Sequence, residues 1–137
     1  MKAVDTNVLA RFFVDDPDDP QAAHQRPAAL AAMRGRVFVP VTVLLELEWV
    51  LRGFYELPRA SIYRALSALC SYDNVVIEGR VQVLAALQAF KQGLDFADAL
   101  HLNRAASCTA LLTFDKRLIR RSAALQSAVP CELPTAA

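Results

Sequence analysis

Short apolar runs alternate with longer stretches of helical periodicity along the whole chain. The first run, Ala3-Val4, passes directly into the polar triplet Asp5-Thr6-Asn7, and an apolar helical pattern (Val8, Leu9, Phe12, Phe13) follows. A buried parallel strand that hands over to a helix has this form, with the polar triplet at the strand's carboxyl end. After the turn-forming stretch Val14 to Pro20, Asp19 before Pro20 starts a second helix, expected from about Gln21 to Arg34 and ended by Gly35. Pro27 lies inside that pattern and is expected to kink the helix or split it. Arg36 to Pro40 reads as a short strand closed by proline. Thr42 is the candidate cap of the next helix, Val43 to Arg52, in which Leu44, Leu47, Val50 and Leu51 share one face. A helix from about Arg59 to Cys70, a third strand at Val75-Val76-Ile77 and a helix carrying Val83, Leu84, Leu87 and Phe90 complete the middle. Asp95 then reads as the N-cap of a further helix. Ala110 to Asp115 repeats the grammar of the opening: an apolar strand ends in Thr and Asp, and a helix begins at Lys116. A last short strand near Val129 to Glu132 closes the sheet. Strands alternating with helices imply a mostly parallel sheet sandwiched by helices.

Composition narrows the setting. A chain of 137 residues makes one domain, residues 1–137, with room for a core. No apolar run reaches the roughly 18 residues of a membrane span. The charged opening Met1-Lys2-Ala3-Val4-Asp5 does not resemble a secretion signal, so no membrane partner and a cytoplasmic location are expected. Lys plus Arg number 15 against 14 for Asp plus Glu, so overall charge does not advertise nucleic-acid binding, though local patches still can. Cys70, Cys108 and Cys131 are widely spaced and lack a CxxC pairing, which fits reduced thiols better than a disulfide frame or a zinc site.

The candidate chemistry lies in carboxylates. Ligands of open α/β sheets bind outside the carboxyl ends of the strands, where Asp5 and Asp115 stand. Asp5 or Thr6 serves equally well as a simple helix cap. Glu46 and Asp98 sit on helices that begin soon after a strand or turn. Glu46 and Glu48 are two residues apart, so one faces inward and the other outward. The helix dipole alone favours Asp98 in a first turn, yet the surrounding helix is largely apolar, and a carboxylate buried there needs a partner. His101 lies three residues beyond Asp98, but no second His or Cys supports a transition-metal set. Four carboxylates in one crevice repel one another, and a hard divalent cation relieves that repulsion. Mg²⁺ takes oxygen ligands, keeps several waters and needs few carboxylates. It also lowers the pKa of a bound water and stabilises charge on a phosphodiester undergoing in-line displacement. No P-loop or dinucleotide glycine loop competes. Lys116, Arg117, Arg120 and Arg121 form either a solvated helix face or a phosphate-facing patch, and the sequence leaves both open.

Asp5-Thr6-Asn7, Glu46 within Leu44-Leu45-Glu46-Leu47, Asp98 within Phe96-Ala97-Asp98-Ala99-Leu100, and Thr113-Phe114-Asp115 together resemble the PIN-domain nucleases, most closely the VapC-type toxins of bacterial toxin–antitoxin pairs. Each motif is weak alone; the ordered set, spanning nearly the whole chain, is specific. The resemblance implies a three-layer α/β/α sandwich with a short, mostly parallel sheet. It also implies an endoribonuclease dependent on Mg²⁺ or Mn²⁺, a homodimer, and a small cognate antitoxin protein as partner beside the RNA substrate. Asp5, Glu46 and Asp98 match the family's metal-binding, catalytic acids, and Asp115 matches the more variable fourth. Thr6 and Thr113 match neighbouring polar positions that orient ligands or water, Asn7 stands where the family often has serine, and Lys116 and Arg117 are candidate RNA contacts. Pro27 departs from the pattern.

Other acid-bearing folds fit less well. A phosphoacceptor receiver domain wants paired acids closing the first strand and a lysine after a late strand. A haloacid-dehalogenase-like phosphatase wants Asp-x-Asp, and position 7 is Asn. A catalytically silent member of the same fold, binding RNA or protein, is the alternative from a different functional class.

Overall fold

Asp5 ends the first strand, and the chain turns there into a helix: β1 (Lys2–Ala3) is followed by α1 (Thr6–Phe13). The strand lies one residue earlier than the sequence pattern suggests, and its two residues are exposed rather than buried; Val4, which follows them, is buried. The computed structural model describes residues 1–136, and the chain divides into two units, Met1–Arg80 and Val81–Ala137.

In the first unit, α2 (Pro20–Ala32), β2 (Val37–Val39), α3 (Val41–Gly53), α4 (Arg59–Ser71) and β3 (Val75–Ile77) follow α1. The sheet order is β1-β2-β3, all parallel, with Lys2 opposite Val37 and Val37 opposite Val75. The Val4 amide donates to the Phe38 carbonyl at 3.1 Å, carrying the ladder up to the residue before Asp5. β2 and β3 are short apolar runs whose end residues are buried, as strands covered on both faces are, whereas Lys2 and Ala3 of the edge strand β1 are exposed. Val37 and Val39 of β2, Leu44, Leu47 and Leu51 of α3, and Leu66 of α4 are fully buried. Each such side chain contributes about 1.5–3 kcal/mol through burial.

The second unit holds most of α5 (Arg80–Lys91), then α6 (Phe96–Arg104), β4 (Leu111–Leu112), α7 (Lys116–Ala124) and β5 (Cys131–Glu132). β4 and β5 pair in parallel, with Leu111 opposite Cys131. Phe90 and Phe96 meet edge to face at 5.6 Å, across a turn where Gly93 adopts φ +110°, a value that side-chain-bearing residues rarely take. The class is α/β with short parallel strands, in agreement with the three-layer α/β/α expectation.

Two local expectations are corrected. Pro27 does not split the second helix, which runs unbroken from Pro20 to Ala32. Pro27 and Ala23, the residue whose carbonyl loses its amide donor, are both exposed, so water can satisfy that carbonyl. Thr42 does not cap α3 either. That helix starts at Val41 behind Pro40, without a cap bond from its own side chains. The free Val41 amide instead donates to the Glu78 carboxylate, just past β3, at 2.8 Å.

Candidate functional site

In the first unit the site begins with the extended backbone of Asp5 (φ −89°, ψ 168°), whose carboxylate accepts from the Thr6 amide at 2.7 Å. The capping reading of Asp5 is therefore correct as local structure. It does not exhaust the residue, which remains exposed at the strand end. Thr6 is only 6% exposed, and its hydroxyl donates to the Glu46 carboxylate. Asp5, Thr6, Asn7 and Glu46 line one cleft of about 310 Å³.

Helix geometry decides between the two glutamates of α3. Positions two apart are rotated by about 200°, so the side chains diverge. Glu48 is 2% exposed and forms an ion pair with Arg52, one turn on, at 2.8 Å. Glu46 opens onto the cleft. The inward-facing glutamate is thus a packing residue, and the outward-facing one shares a cleft with the acid that closes β1.

The second unit gathers another acidic group. Asp98, half-buried in α6, has its pKa raised, chiefly by burial and next by the Asp95 carboxylate. His101 lowers it, and Asp115 raises it further. Asp95 is the N-cap, its carboxylate accepting from the Asp98 amide at 3.2 Å, as expected. Asp115 caps α7 by accepting from the Arg117 and Leu118 amides at 3.0 and 3.1 Å. The Asp115 amide in turn donates to the Thr113 hydroxyl at 3.0 Å, so Thr113 fixes the turn that carries Asp115. Lys116 and Arg117 are exposed in the first turn of α7, while Arg121 is engaged with the Gly93 carbonyl at 2.8 Å.

The sequence-predicted residues thus fall into two sets: Asp5, Thr6, Asn7 and Glu46 in the first unit, and Asp98, Thr113 and Asp115 in the second. Among the described residues, no three His, Cys, Asp or Glu side chains are grouped so as to hold a metal ion by themselves. The donor chemistry nonetheless fits a hard cation. Every candidate ligand is a carboxylate, and Mg²⁺ is held through one or two carboxylates while waters and substrate phosphate complete its shell. The like charges that disfavour ionised Asp98 are what a divalent cation would offset.

Sequence reasoning overlooked four other residues on the first unit's cleft, Arg11, Trp49, Phe54 and Tyr55. For Trp49 a signal was present: it follows Glu46 by three residues, which places both on the same side of α3. Arg11 follows Asn7 by four on α1 in the same way.

A family model described as PIN domain matches residues 2–124. The chain belongs to the PIN domain family. No curated protein and no solved structure matches it. PIN domains are nuclease-type folds, commonly hydrolases that work with divalent metal ions. In this PIN domain the match runs from β1 to the last residue of α7, and so spans all four candidate acids.

Proposed function

We propose that this PIN domain is an endoribonuclease that hydrolyses RNA phosphodiesters with Mg²⁺ or Mn²⁺, and that it acts as a VapC-type toxin. On this reading the metal-binding, catalytic acids are Asp5 and Glu46 of the first unit and Asp98 and Asp115 of the second. A cation bound there would lower the pKa of a water and offset the charge that develops on the phosphate. The observation that carries the reading is the buried Thr6 hydroxyl bound to Glu46 beside Asp5. A carboxylate placed only for solubility needs no such tether. Thr6 fixes the orientation of Glu46, Thr113 fixes the backbone that presents Asp115, and Asn7 adds an amide to the cleft wall. Lys116 and Arg117, exposed beside Asp115, are suited to RNA phosphates. A homodimer and a small antitoxin protein that silences the toxin belong to the same proposal.

The test is cleavage of structured and single-stranded RNA by the purified chain with Mg²⁺ or Mn²⁺, with EDTA and a parallel Asp5→Asn preparation as controls. Asparagine caps helices as well as aspartate does, so the variant keeps its fold while losing a charged ligand. Cleavage that EDTA abolishes, and that falls at least about a hundredfold in the variant, supports the nuclease. A second reading, a catalytically silent RNA- or protein-binding module, draws on the lack of any three grouped metal-binding side chains among the described residues. RNA binding without cleavage under any metal would favour it.

A further inference from the structure

The cleft that holds Asp5 and Glu46 also carries two large aromatic side chains turned to solvent. Trp49 is 62% exposed and Phe54 68% exposed. Trp49 lies one turn past Glu46 on α3, and Phe54 sits at that helix's C-cap. Arg11 enters the same cleft from α1. Its guanidinium donates to the Gln25 side-chain carbonyl at 3.1 Å and to the Tyr55 hydroxyl at 3.0 Å. Both acceptors are neutral, so Arg11 is aimed by hydrogen bonds without having its charge cancelled by a carboxylate.

These pieces match one kind of ligand. A cation held by neutral groups suits a phosphate, and an exposed indole suits the face of a base. Bases inside a duplex are already stacked on their neighbours, whereas unpaired bases splay out and stack on aromatic side chains. At about 310 Å³ the cleft falls within the roughly 300–1,000 Å³ range of small-ligand pockets. A second protein copy would suit a purely apolar face better than one mixing two acids, an arginine and an indole.

We infer that this cleft is a nucleotide subsite in which an unpaired RNA base stacks on Trp49 while Arg11 faces its phosphate. The inference rests on the ribonuclease reading and names the two residues, Trp49 and Arg11, with which that site would hold one unpaired nucleotide. Base–aromatic stacking is sequence-tolerant, so Trp49 selects for unpaired structure more than for base identity.

Trp49 is the chain's one tryptophan, so its emission reports directly on the subsite. The experiment follows that emission and the anisotropy of a labelled short RNA together, in EDTA, for the single strand and for the same strand in a duplex. Cleavage of the same RNA is then measured with Mg²⁺. The single strand is expected to quench Trp49 saturably and the duplex to leave it unchanged. Trp49→Ala should weaken single-strand binding about tenfold, and Trp49→Phe should recover most of that loss. RNA that is bound and cleaved with Trp49 emission unchanged, and equally well by Trp49→Ala, overturns the subsite and leaves the nuclease standing. RNA that is neither bound nor cleaved overturns both. A change in emission with protein concentration in the absence of RNA, accompanied by a doubling of mass, assigns the face to a second copy and overturns the subsite alone.

Discussion

The Thr6 hydroxyl donates to the Glu46 carboxylate across forty positions of sequence, from the first residue of α1 to the middle of α3. Thr6 is buried and held by the start of its helix, whereas Glu46 stands open to the cleft. An unrestrained glutamate side chain gives up about 1.5–2 kcal/mol of rotamer entropy when it is fixed. The bond meets part of that cost before any ligand arrives. A carboxylate positioned by a buried donor is what a preorganised ligand site requires.

Thr6→Val removes the hydroxyl at nearly constant shape. We expect metal-dependent cleavage to fall about 10–100-fold, the usual effect of losing a group that orients a metal ligand. Stability should change by less than about 1.5 kcal/mol, because the acceptor left behind is open to water. Thr6→Ser restores the donor and should restore most of the activity. Steady-state cleavage rates and thermal melts of the three proteins check this, and wild-type rates in Thr6→Val would show that the tether is ornamental.

The two glutamates of α3 should separate function from stability. Glu46→Gln is expected to abolish cleavage while leaving the melting temperature nearly unchanged, since its side chain is exposed and the amide oxygen still accepts from Thr6. Glu48→Ala removes a buried carboxylate from its ion pair with Arg52 and leaves a cavity. That should cost about 2–4 kcal/mol. Cleavage per folded molecule should stay near wild type. Denaturant titrations paired with cleavage assays distinguish the outcomes, and the reverse pattern would exchange the roles assigned here.

Much of this arrangement was legible in the chain because local signals and global packing agree. The run Val75-Val76-Ile77 is a strand with the bounds its pattern gives, and Asp95 and Asp115 cap the helices their positions suggest. The errors arose where a distant group supplied what the local sequence lacked. Glu78 satisfies the Val41 amide, so α3 starts before Thr42, and solvent tolerates Pro27 on an open face. The cleft's aromatic wall was equally hidden. Phe54 and Tyr55 reach it only through the way α3 ends, and no period in the sequence reports that. Periodicity states only that the two glutamates of α3 diverge; the choice of Glu46 comes from its place in the motif Leu44-Leu45-Glu46-Leu47.

Cys70 offers a test of the first unit's core. It is buried in α4, and burial pushes its thiol pKa above the ordinary value of 9.0, against a smaller opposing pull from Arg80. The thiolate is the reactive form, so near pH 8 an alkylating reagent should label exposed Cys108 first, Cys131 more slowly, and Cys70 only on unfolding. The same shift sets a pH dependence. Below 9.0 the folded and unfolded chains both keep the proton, and the contribution to stability is fully present. As pH rises from there through the folded value, the unfolded chain releases its proton first, and stability is lost. Cys70→Ala should therefore show a shallower alkaline decline than wild type in denaturant titrations, after a cost of about 1 kcal/mol at neutral pH. Parallel alkaline declines in the two proteins, or rapid labelling of Cys70 in the native state, would mean that α4 opens to solvent far more readily than its packing against α3 and β3 implies.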